Sequence, residues 1–321
     1  MIKLTSLLKQ ILNEGGNVFG TTASIKKENI EPTMEKFVEV LGNIFPKKAS
    51  TFKSFEKLGS AGKKDISGDI DLSYDVKNFM NGDQPDFEGW GIDPTEFNAL
   101  SEKIAKRART ATPAQVALRA MLELVANKVN EATATIESDP KSAANGSLFF
   151  AYPQYNEAGE ELPSSVQIDI NVGNPEWLRF SYYSNLYKGN VKGLHRTQLL
   201  VALFTNKGKV FKHGQGILDK ETREVEAETP KQTLELMNKL YGTNITQDVL
   251  NDYFELIDYL KSNLSEQDLN SVYDTYLKIL DSTRADIPED LQDYWIKNQE
   301  RLGLKGKFLP DDSNLIKYKT A

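Results

Sequence analysis

Residues 58–75 read LGSAGKKDISGDIDLSYD. In the second half Ile70 and Leu72 alternate with Asp69, Asp71 and Ser73, the pattern of a strand with one face in a core. Residues two apart in a strand point the same way, roughly 6.6 Å apart along the chain. Asp69 and Asp71 therefore share a face. Carboxylates stacked without cations between them are costly, because two unit charges about 4 Å apart repel by roughly 4 kcal/mol at an effective dielectric near 20. The pattern asks for positive charge from outside the chain.

Two divalent cations would answer that need, since metal pairs lie about 3.5–4 Å apart and make clustered carboxylates favourable. A neighbouring strand must then supply a third oxygen ligand. In VQIDINV (166–172), Ile168, Ile170 and Val172 alternate with Gln167, Asp169 and Asn171, which makes Asp169 the candidate. Gly59-Ser60 suits the phosphate end of such a site, because glycine lets the backbone approach a ligand and turn amides attract anions. Lys63 and Lys64 would add cationic charge towards a triphosphate. The other glycine and acid motifs do not fit. GSAGKK is two residues short of a P-loop, no G-x-G-x-x-G occurs here, and an EF-hand started at Asp65 or Asp69 lacks its sixth-position glycine and its twelfth-position glutamate.

Composition narrows the chemistry further. The 321 residues carry a net charge of −7 and 39% hydrophobic residues, enough for a sizeable core and ill-suited to coating nucleic acid nonspecifically. There is no cysteine, which excludes disulfides, thiolate zinc sites, iron–sulfur clusters and thiol catalysis. With His195 and His213 as the only histidines, a metal has to be held by oxygen ligands, which suit Mg²⁺, Mn²⁺ or Ca²⁺. The opening MIKLTSLLKQILNEGG reads as an amphipathic helix ending at Gly15-Gly16 rather than as a signal peptide, and no stretch has the length of a membrane span. The expectation is a cytoplasmic protein.

Along the chain, residues 1–50 read as a helical extension whose second helix starts near Thr33, after Pro32. A strand is expected at Phe52–Leu58 and a second at Asp69–Tyr74. A long helix follows over about Pro113–Ile136, then a hairpin over 146–174, and helices beyond about residue 230, with starts at Thr229-Pro230, Thr246 and Ser265. One segment stands apart in an acidic protein. Between Trp177 and Leu218 there is no Asp or Glu, while Arg179, Lys188, Lys192, Arg196, Lys207, Lys209 and Lys212 interleave with Trp177, Phe180, Tyr182, Tyr183 and Tyr187. Cations among aromatics form a common surface for phosphates and unstacked bases, so segment 177–218 is expected to act as an electrostatic funnel, with KIAKRAR (103–109) as its extension.

The stretch GSAGKKDISGDIDL resembles the signature of the nucleotidyltransferase superfamily, a Gly-Ser followed about ten residues later by Asp-x-Asp. Its wording is closest to the family X, polymerase beta-like DNA polymerases, whose pattern ends in a similar Gly-Asp-x-Asp. VQIDINV resembles the strand that carries the family's third aspartate, and YYSNLYKGNVKGLH with the residues up to about 240 is similar to the family's closing segment. The resemblance implies an α+β fold, a palm of short mixed sheet with helices, divided as extension 1–50, catalytic palm 51–180, nucleotide and acceptor segment 181–245 and helical region 246–321. It implies Asp69, Asp71 and Asp169 as ligands of two Mg²⁺ or Mn²⁺ ions, with Asp169 helping to deprotonate the attacking hydroxyl. Gly59 and Ser60 would hold the terminal phosphates, with Lys63 and Lys64 where the family often has arginines. Tyr187 and Gly189 would lie near the sugar, and His195, beside Arg196, stands where the family has an asparagine facing the base. The implied reaction is transfer of a nucleoside monophosphate from a triphosphate to a hydroxyl, expected to be a nucleic acid 3′ end. About a hundred residues separate Asp71 from Asp169, implying an insertion, and residues 1–50 show no helix-hairpin-helix signature. A protein or small-molecule acceptor, or a binding module without catalysis, are the competing readings.

Overall fold

The computed structural model describes residues 18–82, 84–108, 111–184, 193–283 and 285–304. They fall into two compact units, Met1–Arg179 and Phe180–Ala321. The architecture is α+β, with a short mixed sheet in the first unit and a mainly helical second unit.

In the first unit, Ile30, Met34, Phe37 and Leu41 recur at helical spacing and form the buried stripe of α1 (Lys27–Ile44). The helix begins six residues earlier than the sequence suggests, and Pro32 lies inside it. A proline there removes one intrahelical hydrogen bond, and the burial of Ile30 ahead of it and Met34 behind it favours keeping the helix continuous. Phe37 packs against Phe150 and Tyr152 of the sheet, with ring centroids 5.5 and 5.3 Å apart.

The expected strand over Phe52–Leu58 shrinks to β2 (Glu56–Lys57), because Thr51–Ser54 forms a 3-10 turn that drives Phe52 into an aromatic cluster. Phe52, Phe55, Tyr74, Phe79 and Trp90 meet there, Phe79 stacking on Trp90 at 4.3 Å. Burying each such ring stabilises by about 1.5–3 kcal/mol. Thr51 Oγ1 also meets the Tyr74 hydroxyl at 2.5 Å, which ties the turn to the sheet.

The sheet is built around β4 (Asp69–Asp75). β1 (Ile25–Lys26) and β3 (Ile66–Ser67) form a small antiparallel pair at its entrance. The five-stranded sheet runs β2, β4, β7 (Glu161–Gly173), β6 (Ser147–Tyr155) and β5 (Glu137–Asp139). Only the β4–β7 pairing is parallel. A parallel pair needs a long crossover, and here it contains α2 (Pro94–Arg107) and α3 (Pro113–Ala132), the latter held by a Thr112–Gln115 capping box. The expected hairpin is β6–β7.

The second unit opens its described helices with α4 (Gly193–Asn206), followed by the antiparallel strands β8 (Lys209–Lys212), β9 (Gly216–Asp219) and β10 (Val225–Ala227). Helices α5 (Pro230–Tyr241), α6 (Tyr253–Asn263), α7 (Glu266–Thr283) and α8 (Gln292–Leu302) complete it. Thr229 caps α5 through Gln232 N–H, and the Ser265 hydroxyl accepts from Asp268 N–H at the start of α7. Among the described residues no helix is long and apolar enough to cross a membrane.

Candidate active site

β4 and β7 run parallel in a register that sets Asp71 directly beside Asp169, with Asp69 opposite Gln167 and Ser73 opposite Asn171. The alternation of the two strands does this. Ile70, Leu72, Ile168 and Ile170 occupy the core face at 2% exposure or less, which turns the polar set to the other face. Asp69 and Asp71 are half-buried and Asp169 is buried.

The electrostatics follow from that placement. Burial first, and then the Asp69 charge, push Asp71 up to about 7, with an Asn171 hydrogen bond opposing them. Burial, then Asp71 and Asp69, push Asp169 up to about 8. Asp69 is raised by burial as well. Asp69 thus makes Asp71 harder to ionise, and the two together do the same to Asp169.

Gly59 closes one end of this face. Leu58 N–H donates to Asp71 O at 2.8 Å, and the chain then turns away at Gly59, whose φ of +58° favours glycine. A Cβ at Gly59 would stand 3.4 Å from Asp71 Oδ2, so the bare backbone lies against the carboxylate. Ser60 is half-buried in the same turn, and Lys63 and Lys64 are exposed beyond it. The structure therefore brings together Asp69, Asp71, Asp169 and Gly59, with Ser60 next in the turn.

An oxygen-only donor set of this charge fits divalent cations of the Mg²⁺ or Mn²⁺ kind. The side chains are not converged as they stand: among the described residues no three acidic or histidine groups are gathered to hold a metal ion. Both Asp169 oxygens instead accept from Gln167 Nε2, at 2.8 and 3.1 Å, and Asp71 Oδ1 accepts from Asn171 Nδ2 at 3.3 Å. Gln167 and Asn171 are the residues that the sequence reading missed. Their signal was present, because both share the Asp169 face of a strand that alternates strictly.

Other expectations are corrected. His195 and Arg196 are both fully buried in the second unit. His195 Nδ1 meets the Tyr276 hydroxyl at 3.0 Å. Arg196 donates to Leu250 O, Phe180 O and Asn251 Oδ1, and its guanidinium lies 4.4 Å from the Phe180 ring. Both side chains organise packing, so the nucleotide contact read for them gives way to a structural role. The cationic funnel expected over 177–218 is met in part by ion pairs. Arg179 pairs with Glu56, Lys207 with Asp268, and Lys209 with Asp219 and Glu226, while Trp177 is buried. Among the described residues, carboxylates from outside the segment pair with three of its cations. Tyr187, Gly189, Lys188, Lys192, Arg109 and the helix expected before Gly15-Gly16 lie outside the described residues.

No family model matches the chain, and no curated protein matches it. Among solved structures it is similar to a crystal structure of polymerase beta from Leishmania infantum, described as a ternary P/T complex, at 12% identity and a TM-score of 0.32, over 77% of this chain and 87% of that one.

Proposed function

We propose that the chain is a metal-dependent nucleotidyltransferase. The observation that carries the reading is the register of β4 on β7, which sets Asp71 beside Asp169 with Asp69 two residues away on the same face and a glycine turn at Asp71. Asp69, Asp71 and Asp169 would hold two Mg²⁺ or Mn²⁺ ions after turning towards each other. Such ions, when bound, screen a triphosphate and acidify an attacking hydroxyl. The chain's own contribution is positioning. The Gly59–Ser60 turn offers backbone close to the carboxylates for the terminal phosphates, and Lys63 and Lys64 add charge outside it. The hydroxyl oxygen bonds to the α-phosphorus, its proton passes towards Asp169, and the bond to the bridging oxygen breaks as pyrophosphate leaves.

The acceptor hydroxyl on a nucleic acid 3′ end is the first candidate. The ion pairs of Arg179, Lys207 and Lys209 favour a second one, a protein or small-molecule hydroxyl, because these cations already have partners. The test is incubation with Mg²⁺ or Mn²⁺ and each labelled nucleoside triphosphate, with and without primer and template, beside Asp69→Asn. Label on the primer, lost in the variant, is the result expected of a polymerase-like enzyme. Label on protein or a small molecule moves the acceptor and keeps the site. No transfer and no metal-dependent nucleotide binding would overturn the reading in favour of a binding module.

A further inference from the structure

Gln167, Asp169 and Asn171 project from one face of β7, and both amides are fixed at both ends. Gln167 is 1% exposed. Its Nε2 donates to both Asp169 oxygens, and its Oε1 accepts the main-chain N–H of Val18 at 2.9 Å. Reversing the amide would set oxygen against carboxylate and N–H against N–H, so Asp169 and the Val18 donor together fix which end faces Asp169. Asn171 repeats the device, since its Oδ1 accepts from the Ser147 hydroxyl at 2.9 Å while its Nδ2 donates to Asp71.

Val18 belongs to a strap that is itself tied down. Thr22 bridges Ser165, Ala23 N–H donates to Ser165 O at 2.8 Å, and Lys27 N–H donates to Asp65 O at 2.8 Å. Between these contacts, β1 pairs with β3. β4 begins opposite Gln167, and Ser165, two residues earlier on β7, also pairs with β6. The strap therefore fills the edge of β7 that β4 leaves open, and it delivers one donor to the last residue before the carboxylates.

We infer that Gln167 is a positioning residue for Asp169, set in turn by the main-chain N–H of Val18, so that the strap over residues 18–26 is part of the metal-binding end of the site. The inference rests on the two-metal reading above. A carboxylate oxygen that accepts one hydrogen bond keeps a lone pair for a cation, and a fixed carboxylate loses less freedom on binding it.

The test reads Mn²⁺ binding alone, by electron paramagnetic resonance, beside transfer kinetics. Gln167→Met keeps the volume and removes the amide; it should weaken Mn²⁺ binding about 10–100-fold, the range for groups that orient metal ligands. It should also lower kcat while leaving KM for the triphosphate unchanged. Val18→Pro removes the N–H of a residue 52% exposed, while also fixing its φ, and should weaken Mn²⁺ binding about 2–10-fold, the worth of one hydrogen bond. Val18→Ala, which keeps the N–H, should bind as the wild type does. Unchanged Mn²⁺ affinity in folded Gln167→Met, or equal affinity in the two Val18 variants, overturns the inference. If Gln167→Met does not fold, the Val18 pair decides alone. If the wild type shows no Mn²⁺ binding that Asp169→Asn abolishes, the two-metal reading falls first, and the inference with it.

Discussion

The β4–β7 carboxylate face of the first unit and the ion-paired surface of the second treat charge in opposite ways. In the second, Lys209 lies between Asp219 and Glu226, Lys207 meets Asp268, and Arg301 makes a two-pronged contact with Asp274. Hydrogen bonds from Lys209 and from Thr222 and Glu221 N–H hold Asp219 well below the usual carboxylate range, and Lys207 lowers Asp268. In the first unit, Asp69, Asp71 and Asp169 are all raised by burial, Asp71 also by Asp69 and Asp169 also by both, with only backbone and amide hydrogen bonds opposing. Pairing that closes on itself belongs to architecture. A carboxylate set whose compensation must come from elsewhere agrees with the cation-dependent site proposed above.

The largest effect expected from this contrast is at Asp71 and Asp169. Replacing either by Asn should lower nucleotidyl transfer by about a thousandfold, the scale on which single electrostatic groups at a reaction centre act. The same change removes a buried charge that lacks a counter-ion, so the metal-free melting temperature should hold or rise. Activity assays beside circular dichroism melts check both halves. A variant that loses activity because it unfolds would place these residues with the structural pairs.

Arg196 gives the converse. Its guanidinium satisfies two buried carbonyls, and removing it leaves them without that donor. Arg196→Met should cost about 2–3 kcal/mol of stability in denaturant titrations, with Mn²⁺ binding by the folded protein unchanged. Loss of metal or nucleotide binding at unchanged stability would restore the ligand role.

How far the sequence speaks depends on whether a residue's partners are local. The Asp69–Asp71 strand, the β6–β7 hairpin and the caps at Thr229 and Ser265 follow from alternation and end signals within a few residues, and all are present. Asp169 beside Asp71 was legible because both strands alternate, although their register is a tertiary fact. Arg196 was misread because its partners include Leu250 and Asn251, more than fifty residues on, and nothing local separates a guanidinium bonded to carbonyls from one facing phosphate. The ion pairs of Lys207 and Lys209 were hidden in the same way, since a segment without acids acquires them from strands and helices that follow. Gln167 was legible as a residue on the right face. Its link to Val18 spans 149 positions, and no periodicity reports it.

The pH dependence of stability gives the two regions opposite signs. Asp71 and Asp169 titrate near 7 and 8 in the folded chain, against an ordinary value of 3.8. Between about pH 4 and 8 the folded state therefore binds more protons than the unfolded state, and stability falls as pH rises. Asp219 and Asp268 are lowered, so their contribution is present above about pH 4 and is lost only as pH falls through their folded values. Melts of the metal-free protein should show a decline from pH 5 to pH 8 that Asp71→Asn flattens and Mn²⁺ reverses. Lys209→Met should leave that decline in place and lower stability slightly across the range, by an amount that shrinks in about 1 M salt because salt screens pairs that water still reaches. The cation decides between the alternatives. A site made for metal should regain at pH 8, on adding Mn²⁺, the stability that deprotonation removed, whereas a merely strained carboxylate cluster would stay unstable whether the metal is present or not.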